Sequence, residues 1–318
     1  MTEAGPVAVA TEADDQTADM VITELNRRGV PVVRFNPADF GADLGLSAHF
    51  GTRPAPVAGQ LVTPSRTAGL ARIRSLYWRR PTWPAFEGLE EADARFAAAQ
   101  VRHGLGGVLY ALPGCRYVNH PLRNFAAEHK PLQLAVAQGF GLSVPATLVS
   151  NDRDDVRAFI TAHRDVVHKV LRWTPYRQGG VGLTTWTEAV TADELDESVE
   201  VVPHLFQARV DKVADVRVVV VGRHVFAVRI DSGLLDWRRD YSALTYSVID
   251  LPGRLEKALI AYLEHFGLVS GSFDLAVDRA GEFHWLELNP NGQWGWLEDE
   301  TQLPLTEAFA DLLEEGAS

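Results

Sequence analysis

Three side chains late in the chain carry hard oxygen donors at strand spacing: Asp274, Glu287 and Asn289. The stretches that hold them, 272–277 and 284–289, alternate apolar and polar residues, and Asp278-Arg279-Ala280-Gly281 between them has turn composition. They read as a hairpin. Residues two apart in a strand share a face, so Glu287 and Asn289 point the same way, and pairing with the neighbouring strand would bring Asp274 to them. Two carboxylates and an amide oxygen suit Mg²⁺ held jointly with phosphate oxygens. A solvated acidic face with a turn asparagine is the competing reading.

Cations that could answer such phosphates lie upstream. Lys169 interrupts the apolar run 166–171, and an ammonium is costly to bury without an anion, so it invites a ligand unless the strand is an exposed edge. The run 172–182 that follows contains Gly179 and Gly180, whose backbone N–H groups could approach phosphate oxygens as a mobile flap. It lacks Gly-Lys-Ser/Thr, which disfavours a Walker loop. Asp215-Val-Arg217 opens the strand-like run 215–222; the guanidinium could neutralise phosphoryl charge in a transition state, or simply pair with Asp215. Arg79 and Arg80 end another run that Pro81 and Pro84 stop, either to hold an anion or as a solvated pair.

The elements that must position these groups follow from periodicity. Run 6–11, a helix carrying Ala18, Val21, Ile22 and Leu25 after the capping residues 14–17, and run 30–35 make a β-α-β opening, hence a parallel sheet with a right-handed crossover. Strands are expected at 59–63, 71–78, 144–149, 166–171 and 201–207, with a hairpin of 215–222 and 225–230 around Gly222-Arg223-His224. A helix over 87–103, with Phe96, Ala97 and Val101 on one face, is expected to close at the glycines of 104–107. Helix 128–139 offers Leu132, Leu134, Ala135 and Val136 for packing. Helices 255–266, with Leu255, Leu259, Tyr262, Leu263 and Phe266, and 304–313, with Leu305, Phe309, Leu312 and Leu313, bracket the hairpin. The fold class is α/β, with mixed α+β parts.

Composition sets the outer bounds. At 318 residues, 46% hydrophobic and 23% charged, the chain has room for two or three subdomains. No apolar run nears the roughly 20 residues of a bilayer span, and the N-terminus lacks a basic region ahead of an apolar core, so neither a membrane segment nor a secretory signal is expected. A single cysteine, Cys115, cannot form an internal disulfide, which fits the cytoplasm, and no motif supports it as a nucleophile. A net charge of −12 argues against nucleic-acid binding. A homodimer stays open.

Asp-x(12)-Glu-x-Asn on two late strands resembles the metal-binding signature of ATP-grasp enzymes. The longer phrase Glu287-Leu-Asn-Pro-Asn-Gly-Gln-Trp-Gly-Trp-Leu-Glu298 is similar to that of the maturases of microviridin-like ribosomal peptides, the graspetide ligases. The resemblance spans essentially the whole chain and is strongest over 117–145 and 273–298. It implies an ATP-grasp fold of three subdomains: a parallel-sheet pre-ATP-grasp domain over 1–120, a central subdomain with the glycine-rich flap over 121–200, and a C-terminal subdomain with the metal site over 201–318. ATP and Mg²⁺, as two ions, are the implied cofactors, with Asp274, Glu287 and Asn289 as metal ligands. The order Lys130, Gln133, Ala137, Gly141, Pro145, Thr147 resembles the family's linker, whose lysine reaches the nucleotide phosphates; a surface lysine at a helix start is the other reading. Gln207 resembles the entry to the adenine hinge, where Ala208 replaces the usual acidic residue, a change that backbone recognition of adenine would tolerate. Lys212 and Asp211 reach the ribose or phosphate region. Asp236-Trp237-Arg238 resembles a block of the maturases, with Arg238 orienting a substrate carboxylate or acyl phosphate and Arg229 as a weaker candidate.

The implied reaction transfers the ATP γ-phosphoryl to Asp or Glu carboxylates of a ribosomal precursor peptide. A Ser or Thr hydroxyl, or a Lys amine, then displaces phosphate and closes a ring. Catalysis of this kind rests on positioning and charge neutralisation, which suits Lys130, Lys169 and Arg217. Arg79, Arg80, Arg172, Arg177, Arg238 and Arg239 would meet the peptide's acidic core despite the net negative charge, and the central subdomain would take its leader. No general base stands out. Three alternatives remain: an ATP-grasp ligase for free amino acids or a protein C-terminus, a non-catalytic nucleotide-binding peptide sensor, and a structural interaction protein.

Overall fold

The computed structural model describes residues 5–51, 56–172, 174, 176–178 and 181–317. Its first layer follows from apolar residues on both faces of one strand. In β1 (Val7–Thr11), Val7 and Val9 face one side and Ala8 and Ala10 the other, and all four are buried. After α1 (Gln16–Arg27), which Asp15 caps by accepting the Ala18 N–H at 3.2 Å, come β2 (Val32–Phe35), β3 (Gly45–Phe50), β4 (Val57–Val62), β5 (Thr67–Gly69), β6 (Ser75–Arg80), α2 (Glu91–Tyr110) and β7 (Arg116–Val118). The parallel sheet runs β2-β1-β6-β7, and β3, β4 and β5 form a small antiparallel sheet of their own.

Two expectations change here. The strand expected from residue 71 begins at Ser75, because Leu70–Arg72 form a 3₁₀ turn. Helix α2 does not stop at the glycines: Leu105, Val108 and Leu109 carry its buried stripe onward, while Phe96 is exposed. Gly106 is needed for closeness, since a Cβ there would stand 3.1 Å from Tyr110 Oη and 3.2 Å from Trp83.

The middle of the chain supplies α3 (Pro121–Ala127), α4 (Lys130–Gly139), β8 (Thr147–Ser150), α5 (Arg153–His163), β9 (Val166–Lys169), β10 (Tyr176–Gln178), β11 (Val181–Leu183), β12 (Glu188–Val190) and β13 (His204–Ala208). Four of these strands form an antiparallel sheet in the order β12-β9-β13-β8, on which α5 lays Val156 and Ile160. On α4 the inward residues are Gln133 and Ala137, whereas Leu132, expected to pack, is exposed.

The last third gives β14 (Lys212–Val221), β15 (His224–Asp231), β16 (Thr245–Ile249), α6 (Gly253–Phe266), β17 (Ser270–Asp278), β18 (Phe283–Asn289), α7 (Gly295–Thr301) and α8 (Leu305–Glu315). The antiparallel sheet β16-β15-β14-β17-β18 buries Val216, Val218, Val220, Phe273 and Leu275 in a core shared with α6 and α4. The other face of β14 changes character along its length. Asp215 and Arg217 occupy one end, and Val219 and Val221 pack at the other with α8 and the parallel sheet. Among the described residues no helix is long and apolar enough to cross a membrane.

Candidate active site

Register brings the oxygen donors together. In β17 and β18 Asp274 stands opposite Glu287 and Ser272 opposite Asn289, and a bulge follows Asp274, so that Leu275 pairs with Trp285. Bulges re-aim side chains beside them. Asn289 Nδ2 lies 3.2 Å from Asp274 Oδ2 and 3.3 Å from Glu287 Oε1. Three cations contact this trio, and a fourth, Lys169, lies near enough for its charge to act on Glu287. Arg217, paired across the ladder with Asp274, donates to its Oδ1 at 2.8 Å; Arg238 reaches Glu287 Oε1 at 3.4 Å and Asp236 Oδ1 at 2.9 Å. Lys130 Nζ lies 3.0 Å from Glu287 Oε2 and donates to the Val170 carbonyl at 2.8 Å. Lys169 donates to Gln207 Oε1 at 2.8 Å, and Gln207 in turn donates to Thr147 Oγ1 at 2.9 Å.

The trio fits a magnesium ion by its chemistry. All three side chains end in oxygen donors, and a half-turn of the Asn289 amide, whose orientation follows its hydrogen bonds, presents Oδ1 in place of Nδ2. Among the described residues no three His, Cys, Asp or Glu side chains converge so that they could hold a metal ion. A set of two carboxylates and one amide leaves the remaining coordination to water and phosphate oxygens, as Mg²⁺ prefers.

Burial and neighbouring charge set the protonation states. Burial opposes ionisation of Glu287, but Lys130, Arg238 and Lys169 outweigh it and hold the carboxyl well below its usual range. Burial raises Asp274, against the pull of Arg217 and with the Glu287 charge adding to the rise. Lys169 is pushed down by burial to about 8, although Glu287 pulls it upward. Burial likewise lifts Asp215 to about 6, opposed by Lys212, whose Nζ lies 2.6 Å away.

Loop 290–293, which follows Asn289, is held from the opposite side. Gly292 sits so close to the sheet that a Cβ would lie 2.5 Å from Arg217 Nη2 and 2.6 Å from Ser272 Cβ. Arg217 Nη2 donates to the Gln293 carbonyl at 3.2 Å, and Thr17 Oγ1 donates to Gln293 Oε1 at 2.8 Å. Asn119 binds Val269 and Ser270 N–H groups and the Ser270 and Pro290 carbonyls.

The remaining candidates are placed as follows. Arg79 is buried: it donates to the Asn291 carbonyl at 2.5 Å, bonds Gln293 Oε1 and lies 3.6 Å from Asp15, so it braces the loop and is not open to a peptide. Arg80 and Arg172 are exposed, the latter 3.5 Å from Glu128, and Arg239 pairs with Glu188 at 2.5 Å. Trp237 is buried against Tyr241 and Trp296, which makes it support for Arg238, not a contact surface. Arg229 stands opposite Val216, hence on the sheet face away from Arg217, and pairs with Asp231 at 2.6 Å. Alternation therefore excludes it from this site. The Ala208 N–H is taken by the Ala146 carbonyl at 2.8 Å, and Lys212 also donates to the Leu235 carbonyl. Arg177 lies in β10; Gly179 and Gly180 lie outside the described residues.

No family model matches the sequence, and no curated protein matches it. Solved structures do. A RiPP-associated ATP-grasp ligase of Chryseobacterium gregarium, in complex with ADP and a leader and core peptide, superposes with a TM-score of 0.88 at 27% identity, covering 98% of this chain and 97% of that one. The chain is an ATP-grasp ligase. The macrocyclase MdnC of Microcystis aeruginosa MRC, bound with precursor peptide MdnA, matches this ATP-grasp ligase with a TM-score of 0.88 at 26% identity over 97% and 99% of the two chains. PsnB, complexed with minimal precursor, Mg and ADP, shares the fold with a TM-score of 0.80 at 22% identity over 98% and 97%. Sequence reasoning on this ATP-grasp ligase assigned no role at the site to Asn119, Gln133 or Gln293, and gave Thr17 only helix capping. The Gln133–Ala137 spacing on one helix face was the available signal for an inward glutamine.

Proposed function

We propose that this ATP-grasp ligase phosphorylates Asp or Glu side chains of a ribosomal precursor peptide and closes the products with Ser or Thr hydroxyls as lactones, or with Lys amines as lactams. A carboxylate is a poor acyl donor, because displacement would have to expel oxide. Attack of a carboxylate oxygen on the γ-phosphorus breaks the bond to ADP and yields an acyl phosphate. The hydroxyl or amine then adds at the acyl carbon, phosphate leaves with the bonding pair, and the nucleophile's proton passes to solvent or phosphate.

Each residue has a part in this reading. Lys130 and Lys169 meet phosphate oxygens, and Gln207 holds Lys169 in place. Arg217 neutralises charge on the transferring group, and Arg238, partly exposed and anchored by Asp236, orients the incoming carboxylate. Asp274, Glu287 and Asn289 would hold Mg²⁺, as two ions, which when bound screens the charge between ATP and the carboxylate. Gly179 and Gly180 would cover the phosphates, and Arg80, Arg172, Arg177 and Arg239 would meet the acidic core. Subdomains at 1–120, 121–200 and 201–318, a cytoplasmic location and a homodimer belong to the same proposal.

The observation that carries it is the gathering of two carboxylates and an amide within reach of four cations contributed by four separate segments of the chain. Full-length likeness to ligases that carry precursor peptides supports a peptide acceptor over a free amino acid. The test begins with a search of the reading frames beside this gene for a short peptide with repeated Thr and Glu or Asp. Incubated with enzyme, ATP and Mg²⁺, that peptide should lose one water per ring by mass spectrometry. ADP release with free amino acids and an unaltered peptide would sink the peptide assignment.

A further inference from the structure

Strand β18, which carries Glu287 and Asn289, is the outer strand of its sheet; β17 is its one partner strand among the described residues, and on its free side an isolated bridge from Ser143 to His284 takes the Trp285 N–H at 2.7 Å. In an antiparallel pair alternate residues turn their N–H and C=O groups away from the partner, so an outer strand has backbone groups with no strand to meet them. At Leu288, between the two ligands, a side chain takes the missing strand's place. The Leu288 N–H donates to Gln133 Oε1 at 3.1 Å, and Gln133 Nε2 donates to the Leu288 carbonyl at 2.9 Å and to the Ala127 carbonyl at 2.6 Å. Gln133 is 2% exposed, and its own carbonyl accepts from Tyr262 Oη at 3.1 Å.

The placement matters because β18 is irregular here. The bulge after Asp274 leaves Leu286 without a register partner, immediately before Glu287. A bulge bends and twists its strand, and a slip of one residue would turn Glu287 and Asn289 to the opposite face. Residues three apart on a helix lie on one side, so Lys130 grips the Glu287 carboxylate at 3.0 Å while Gln133, one turn later, grips the backbone of the next residue.

We propose that Gln133 is a positioning residue for the Mg²⁺–nucleotide site: by clamping both backbone groups of Leu288 it holds Glu287 and Asn289 in the orientation that lets them act with Asp274. The inference rests on the reading of that trio as a metal site. It is tested with Mn²⁺ as probe, its binding followed by electron paramagnetic resonance in the presence of a non-hydrolysable ATP analogue, in the full chain and in Gln133→Met and Gln133→Glu. Metal-free binding of the analogue and the thermal midpoint are measured alongside. Gln133→Met should weaken Mn²⁺ binding by about 10- to 100-fold, the usual effect of removing a group that orients a metal ligand. Gln133→Glu, which keeps the acceptor for the Leu288 N–H, should lose less. Metal-free binding of the analogue should stay unchanged in both. Mn²⁺ bound equally by wild type and variants overturns the positioning role alone. So does an equal loss of metal-free and metal-assisted binding, or failure of both variants to fold, since each would make Gln133 a stability residue. Wild-type protein that takes the analogue but no Mn²⁺ overturns the metal reading together with this one.

Discussion

The C-terminal sheet presents Asp274, Glu287, Asn289 and Arg217 on a core of seventeen buried apolar side chains, whereas the central sheet, which presents Lys169 and Gln207, rests on a cluster of five among the described residues. The polar contacts differ in the same way. Asp274 and Glu287 meet Arg217, Asn289, Lys130 and Arg238, while the Lys169 ammonium, among the described residues, has one hydrogen bond, to Gln207. The groups proposed to act together in phosphoryl transfer thus sit where packing is dense. Lys169, proposed to meet the nucleotide from the other side, sits where it is sparse, and sparse burial permits local opening.

Three measurements would break or sharpen this contrast. The largest effect is expected at Arg217. Arg217→Ala should slow peptide dehydration by about 10²- to 10³-fold, the scale for removing one charge-stabilising donor, while nucleotide affinity changes little. A loss of affinity as large as the loss of rate would place Arg217 in ground-state binding instead. Next is Lys169, whose charged form would pair with phosphate in the proposed reaction and which burial has pushed down to about 8. Raising the pH through that value removes the charge, so affinity for the ATP analogue should fall on the alkaline side and hold steady below it. Lys169→Met should bind roughly 10- to 100-fold more weakly, the equivalent of one or two charge-assisted hydrogen bonds, and lose that pH dependence. Calorimetry across the pH range decides it, and a variant with the same alkaline decline would assign the titration elsewhere. The smallest effect is dynamic: backbone amides of β9 and β13 should exchange with deuterium faster than those of β14 and β17, by roughly tenfold or more. Equal protection in the two sheets would remove the asymmetry.

How much of this was legible beforehand varies residue by residue. The hairpin of β17 and β18 could be read because alternation and a turn of Asp, Arg, Ala and Gly are local signals. Arg229 was not legible: a hairpin centred on Gly222-Arg223-His224 would set it opposite Arg217, whereas the two-residue turn Gly222-Arg223 sets it opposite Val216, on the other face. Other features were hidden. Leu132 and Gln133 are neighbours on α4, and hydrophobicity alone favours the leucine for the core, yet the glutamine is buried because an outer strand supplies it with two partners and the end of α3 with a third. Arg79 looked like an anion-binding arginine at a strand end. It is consumed by Asn291 and Gln293, more than two hundred positions later in the chain.

Residue order by itself determined which chemistry was available: oxygen donors spaced for one strand face, lysines placed inside apolar runs, and the strands and helices whose periods carry them. Tertiary structure decided which of the many arginines and amides stand at the site and which brace it from behind. The physical reason is that a side chain's type and local period are written within a few positions. Whether its hydrogen-bonding groups are free for a ligand depends on partners brought together only by the packing of distant segments.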